Sequence, residues 1–130
     1  MAFLKRLFGG SRDRTARPLV ALPATPFPAV EPADAAGAIA SGKVDVVDVR
    51  FDGEFAESRI PGASHVPLPE IPSRTVELPR DRDLLVVCGG GARSLEACRI
   101  LRAAGLTRVR WLRGGLASYP GALEKGTPGG

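Results

Sequence analysis

The sequence predicts an α/β domain, with a central parallel sheet of about five strands and helices on both of its faces. Short apolar or β-branched segments alternate along the chain with helical segments, which is the order typical of parallel sheets. Residues 44–49 and 84–88 are long enough and apolar enough to be buried strands. The chain has 130 residues, 44% of them apolar and 25% charged, a composition that favours one globular domain.

The elements of the first half follow from strand-forming and helix-breaking residues. Residues 27–30 can form a short edge strand. Pro32 suits the first turn of a helix that continues to residue 40 and stops at Gly42. After the strand at residues 44–49, we expect a short acidic helix or turn at 51–57, a turn at 60–63 and a brief strand at 65–68.

The second half contains the clearest strand, residues 84–88, which three glycines end. Ser94 can cap a helix that runs to about residue 104, with Cys98 on its apolar face and Gly105 as its C-terminal stop. Residues 109–112 form the last predicted strand. A final short helix at 116–119 is broken by Pro120.

The charge is unevenly distributed. Residues 1–17 carry five basic side chains and one acidic one, which accounts for the whole net charge of +4, and the remaining residues carry 13 of each. A basic balance confined to one end gives little support for nucleic acid as a partner. We therefore divide the chain into a basic, flexible leader at 1–17, a Pro-rich connector at 18–27, the α/β domain at 28–121 and a disordered tail at 122–130.

Two cysteines are too few for a disulfide framework, and the sequence has neither a convincing secretory signal nor the ~20 apolar residues of a transmembrane helix. These features favour a reduced, cytoplasmic setting. Residues 3–8 place four apolar side chains on one helical face, opposite Lys5 and Arg6. This segment is either a solvated terminus or a small anchor for peripheral membrane contact.

One loop carries the features of a reactive site. The loop begins at Cys88, at the carboxyl end of the clearest strand, where ligands bind in open α/β sheets. Three successive glycines allow backbone N–H groups to turn inward as a nest for an anion, and the following helix directs its positive end to the same point. We expect Cys88 to be a nucleophile, with substrate-binding groups on Gly89, Gly90, Gly91, Ala92, Arg93 and Ser94.

The other reactive residue types have structural interpretations. Cys98 lies on an apolar helix face, so core packing is favoured over a resolving thiol. His65 is the sole histidine and lies between a serine and a valine, a poor position for a catalytic base. The sequence indicates no metal-ligand cluster and no cofactor.

The segment from Cys88 to Ser94 resembles the active-site loop of the single-domain rhodaneses. The matching pattern is Cys88-x-x-Gly91-x-Arg93-Ser94. Three further segments agree in order and spacing, namely Asp48-Val49-Arg50, the stretch from Glu54-Phe55 to Ile60-Pro61-Gly62-Ala63, and Trp111-Leu112-x-Gly114-Gly115. The chain departs from the family at Arg59, where many relatives have histidine, and in having no charged loop residue except Arg93.

The resemblance implies a rhodanese-like domain at residues 28–121 that transfers sulfane sulfur in two steps. Cys88 would take sulfur from a donor such as thiosulfate, becoming a persulfide, and pass it to cyanide, a thiol or a sulfur-relay protein. By resemblance, Asp48 and Arg50 would brace the loop from a neighbouring strand end.

Three alternatives differ in chemistry. A persulfide relay protein for a partner desulfurase would share the loop and differ only in its donor. A non-catalytic rhodanese-like binding module would usually lack the cysteine. A phosphatase or arsenate reductase on the same fold would use a Cys-x5-Arg loop, one residue longer than the Cys-x4-Arg from Cys88 to Arg93.

Overall fold

The computed structural model describes residues 27–126. Its centre is a sheet of five parallel strands, which are β1 (Ala29–Val30), β2 (Val44–Asp48), β3 (Ser64–His65), β4 (Asp83–Val87) and β5 (Val109–Leu112). Their order across the sheet is β1-β5-β4-β2-β3. The α/β class, the parallel sheet of five strands and the edge position of the first strand are as the sequence predicted.

Within residues 27–126, four α-helices and two 3₁₀ turns connect the strands, and a third 3₁₀ turn follows β5. The α-helices are α1 (Pro32–Ala40), α2 (Asp52–Glu57), α3 (Ile71–Arg74) and α4 (Ala92–Ala103), and the 3₁₀ turns are Leu68–Glu70, Thr75–Glu77 and Leu116–Ser118. Crossover helices of this kind are what parallel neighbours require. No helix within residues 27–126 is long and apolar enough to cross a membrane.

The core has two parts, one on each face of the sheet, because neighbouring strand residues point to opposite sides. Val47 of β2 and Val86 of β4 pack on one face against Leu101 of α4. Val46 and Leu85, their neighbours in the chain, pack on the other face. That second cluster also contains Ala35, Ile60, Leu112 and Leu116. The apolar character of β2 and β4 therefore reflects burial on both faces.

Three elements differ from the sequence-based expectation. The strand expected at 65–68 is only Ser64–His65, because the chain enters a 3₁₀ turn at Leu68, although Val66 and Leu68 still donate to the carbonyls of Asp48 and Val49. Residues 68–77, for which we expected no helix, form one with flanking 3₁₀ turns, anchored by the fully buried Ile71. The helix after the glycine loop begins at Ala92 with Gly91 at the N-cap, so Ser94 lies within its first turn and does not cap it.

The end of the described chain is attached to the body. Residues 124–126, part of the tail we expected to be disordered, pair with the segment after α2 through an antiparallel bridge between Arg59 and Glu124. The Arg59 guanidinium, only 4% exposed as a residue, also donates to Glu124 Oε2 and to the carbonyls of Phe55 and Gly126. The predicted leader, the connector up to residue 26, the apolar face at residues 3–8 and residues 127–130 lie outside the described residues.

Candidate active-site loop

Cys88 lies directly after β4, between the ends of β2 and β5, and is 1% exposed. Its side chain belongs to the core cluster on one face of the sheet, and its Sγ atom accepts a hydrogen bond from the N–H of Gly91 at 3.0 Å. This contact turns the loop back over the sulfur. It requires Gly91 at φ +114°, a conformation that only glycine adopts without strain.

The loop presents backbone donors that the protein itself does not use. Within residues 27–126, no acceptor pairs with the N–H groups of Gly89, Gly90, Ala92, Arg93 or Ser94. Three of these donors belong to the first turn of α4, which carries the positive end of the helix dipole. A group of N–H donors next to a cysteine sulfur is suited to an anion that forms on that sulfur.

The opposite side of the loop rests on the turn after β5. The N–H groups of Leu116 and Ala117 donate to the carbonyls of Cys88 and Gly89 at 2.7 and 3.1 Å. Gly115 makes this approach possible, since a Cβ at that position would lie 2.6 Å from the carbonyl oxygen of Cys88. The turn thus binds the loop carbonyls, which leaves the loop N–H groups for a ligand.

Arg93 is paired with a carboxylate. Its guanidinium donates two hydrogen bonds to the carboxylate of Glu54 on α2, at 2.8 and 2.9 Å. Glu54 Oε1 also accepts from the N–H of Phe51, the N-cap of α2. The side-chain hydrogen bonds from Arg93 are the main reason that the pKa of Glu54 falls from 4.5 to about 2. The Glu54 carboxylate therefore offsets the positive charge of Arg93, the one charged residue of the loop.

Asp48 and Arg50 form a buried ion pair that packs against α2. Asp48 is completely buried, and its carboxylate accepts from the Arg50 guanidinium at 2.8 to 3.1 Å. Arg50 also donates to the carbonyls of Glu54 and Ser58, at 3.4 and 2.7 Å. Within residues 27–126 no hydrogen bond joins this pair to the cysteine loop, so the bracing that the resemblance implies stays a prediction. The pair instead contacts the segment that carries Glu54, and the charge of Asp48 acts on Arg93 through space.

The remaining candidates have the following surroundings. Ser94 is fully buried in the first turn of α4, and its hydroxyl has no partner among the described residues. Cys98 packs in the core, where desolvation raises the pKa of its thiol to about 12. His65 stacks on Phe55 at a centroid distance of 4.1 Å, with Nε2 2.8 Å from the carbonyl oxygen of Arg50. Both side chains are therefore packed against other residues, and the structural roles expected for them stay predictions.

Sequence reasoning from residue types missed the role of Glu54. Glu54 is 39 positions before Arg93, and a short acidic helix gives no sign of its partner. The one available signal was its place in the motif shared with the rhodaneses. In the part of the chain that the structure describes, no three His, Cys, Asp or Glu side chains are grouped as a metal site.

The pairing of Glu54 predicts a small acid-dependent loss of stability. Because the pKa of Glu54 is lowered from 4.5 to about 2 by folding, its contribution is complete above pH 4.5 and disappears as the pH falls towards 2. Both side chains are 30 to 39% exposed, so the contribution is below about 1 kcal/mol. Urea unfolding should show Glu54→Gln less stable than the wild type at pH 7, with the gap smaller at pH 3 and nearly closed at pH 2. An equal gap at both pH values would contradict this origin.

Comparisons with known proteins agree with this geometry. Residues 31–122 match the family model described as rhodanese-like domain. The chain is 43% identical over 74 residues to a protein of Allochromatium vinosum named sulfurtransferase, covering 57% of this chain and 69% of that one. It is 33% identical over 101 residues to the human thiosulfate:glutathione sulfurtransferase, covering 67% and 85%. A solved structure of a rhodanese-related protein from Thermoplasma volcanium superposes with a TM-score of 0.70 at 26% identity, covering 75% and 98%.

Proposed function

The chain belongs to the rhodanese-like domain family, and from this premise we propose that it is a sulfurtransferase that carries a sulfane sulfur on Cys88 as a persulfide. The observation that carries the proposal is the surroundings of Cys88. Its sulfur accepts from the Gly91 N–H, and five neighbouring backbone N–H groups have no acceptor within residues 27–126. A loop of this kind stabilises negative charge on a small atom attached to the sulfur.

The first step loads the cysteine. The Cys88 thiolate attacks the outer sulfur of a donor such as thiosulfate, a new S–S bond forms, and the donor S–S bond breaks with its electron pair leaving on sulfite. The product is the persulfide anion of Cys88. The positive end of α4 and the loop N–H groups stabilise the negative charge of the persulfide as it forms.

The second step removes the outer sulfur from the Cys88 persulfide. A thiophilic acceptor, cyanide or a thiol, attacks the outer sulfur and leaves the Cys88 thiolate. In a reduced, cytoplasmic setting, which the two free cysteines suit, a low-molecular-weight thiol or a sulfur-relay protein would be the acceptor. If the donor is a partner desulfurase, the same two steps make the protein a persulfide relay.

The length of the loop argues against phosphate chemistry. From Cys88 to Arg93 the loop contains only six residues, and the guanidinium of Arg93 is held by Glu54. A tetrahedral oxyanion needs a longer loop and a free arginine to surround it. Sulfur as the reacting atom suits the smaller loop.

Intact-mass spectrometry tests the proposal. After incubation with thiosulfate or another sulfane donor, the wild-type protein should gain the mass of one sulfur atom and lose it again when cyanide is added. Cys88→Ser should gain nothing, because serine offers no thiolate. Thiocyanate should be formed by the wild type and not by Cys88→Ser.

Cys98→Ala is the matched control. It removes the other thiol, which is buried and held protonated by its raised pKa of about 12, so this variant should still gain the sulfur. The proposal fails if no sulfane donor adds mass to the wild type while p-nitrophenyl phosphate is hydrolysed, or if Cys88→Ser is loaded as well as the wild type.

A further inference from the structure

The carboxylate of Glu54 lies beside the loop from Cys88 to Ser94, whose N–H groups would hold an anion. A Cβ added to Gly89, the residue after Cys88, would lie 3.2 Å from a guanidinium nitrogen of Arg93 and 3.8 Å from Glu54 Oε2. Both the positive and the negative group are therefore close to Gly89. A carboxylate in this place repels an approaching anion, because Coulomb energy falls only as the inverse of distance.

The neighbouring side chains do not add positive charge. Next to α2, Arg50 is paired with Asp48, and next to the turn after β5, Arg113 is paired with Glu31 at 2.6 Å. Asp52 at the start of α2 is 92% exposed and adds a further negative charge. Each of these three arginines is thus paired with a carboxylate. Among the described residues around the loop, the groups that remain to bind an anion are the backbone N–H groups.

The same edge of the loop has an exposed aromatic side chain. Phe51 is 54% exposed, and its ring centroid is 5.5 Å from Arg93 Cζ. The Arg93 guanidinium is thus covered by a ring on one side and held by Glu54 through two hydrogen bonds. An apolar surface of this kind suits an organic substituent on the donor.

We propose that Glu54 determines donor specificity: by offsetting the charge of Arg93, its carboxylate makes the loop favour singly charged organic sulfane donors over doubly charged thiosulfate. This inference rests on the proposed function and concerns the first step. With either donor, one S–S bond forms to Cys88 and one S–S bond breaks. The leaving group is sulfite from thiosulfate and a sulfinate or thiolate from an organic donor.

Thiosulfate and methanethiosulfonate form the matched pair of probes. Both present the same terminal sulfur, and methanethiosulfonate has a methyl group where thiosulfate has its second charge. The measured quantity is the ratio of kcat/KM for thiosulfate to that for methanethiosulfonate, with thiocyanate formation from cyanide as the readout for both. A ratio cancels any loss of folded protein, since both donors are tested on the same preparation.

Glu54→Gln should raise this ratio about fivefold or more at low ionic strength, because it removes one negative charge near the loop. The single amide oxygen of glutamine can still accept from one Arg93 nitrogen and from the Phe51 N–H, so one of the two hydrogen bonds that hold the guanidinium remains. Added salt should reduce the gain, because the exposed charges are screened. Asp45→Asn removes the same charge near the opposite end of β2, where Asp45 lies beside Leu84, four residues before Cys88 on β4, and it should leave the ratio unchanged.

Gly90→Lys tests the same principle without changing Glu54. A Cβ on Gly90 meets nothing within 4 Å, so a lysine can extend there, and it should raise the ratio as well. The proposal is overturned if Glu54→Gln leaves the ratio unchanged, if both donors slow equally, or if Gly90→Lys alone raises it. Failure of the proposed function would differ, since then neither donor would add sulfur to Cys88 of the wild type.

Discussion

Gly91→Ala is expected to reduce the rate of sulfur loading on Cys88 at least tenfold. Gly91 has φ +114°, and an alanine Cβ would lie 3.1 Å from the Cζ3 atom of Trp111, a half-buried ring that cannot turn away without losing the hydrogen bond from its Nε1 to the Phe27 carbonyl. The strain of roughly 1–3 kcal/mol is relieved by moving the Gly91 N–H away from Cys88 Sγ. Because each ~1.4 kcal/mol is tenfold in rate, the loop should lose most of its activity.

Gly90→Ala provides the comparison. Gly90 is the preceding residue in the same loop, but it is exposed, and its added Cβ would meet nothing within 4 Å. We expect its loading rate to fall by no more than about threefold, which corresponds to an increase of about 0.7 kcal/mol in the activation free energy. Rapid-quench mass spectrometry of both variants measures these rates. Equal losses in the two variants would show that the loop needs glycine for flexibility and not for the turn at Gly91.

Asp48→Asn is expected to destabilise the protein by about 3–5 kcal/mol, because it leaves the Arg50 guanidinium buried without its counter-charge. Both side chains are at most 6% exposed, so water cannot replace the lost carboxylate. Stabilities of small domains are about 5–15 kcal/mol, so this one change removes a large part of the total. Urea unfolding followed by circular dichroism measures the loss.

Asp45→Asn is the matched control on the same strand. Asp45 also pairs with an arginine, Arg82, at 2.9 Å, but both side chains are about 40% exposed. Its loss should cost less than about 1 kcal/mol. If Asp48→Asn costs no more than Asp45→Asn, burial does not strengthen the Asp48–Arg50 pair. Replacing both partners, with Asp48→Asn and Arg50→Met, should cost less than Asp48→Asn alone, since no buried charge then remains.

Most of the fold could be predicted because its signals are local. The apolar segments of β2 and β4 are continuous. Val46 and Val47 lie in different core clusters because neighbouring residues of a strand point to opposite faces of the sheet. The helix at α3 was missed, because Pro69 and Pro72 are breakers in a sequence pattern and its burial depends on one residue, Ile71. The order of the strands in the sheet was not predicted beyond the edge position of β1, since strand order is set by contacts between distant segments.

The candidate site divides in the same way. Cys88, the glycines and the start of α4 are consecutive, so their sequence predicts a loop with backbone donors around a sulfur. The partner of Arg93 could not be predicted from local sequence, because Glu54 is 39 positions away. The same holds for Gly115, whose need for glycine arises only where the turn after β5 approaches Cys88.

The sequence by itself therefore determined the fold class, the reactive loop and the resemblance to the rhodaneses, since each depends on short segments and their order. Only the tertiary structure decided the electrostatics of the site. It pairs Arg93 with Glu54, places Asp48 and Arg50 beneath α2, and leaves backbone N–H groups as the donors around Cys88. The physical reason is that charges act through space, so the field at the sulfur depends on which distant side chains the sheet brings together.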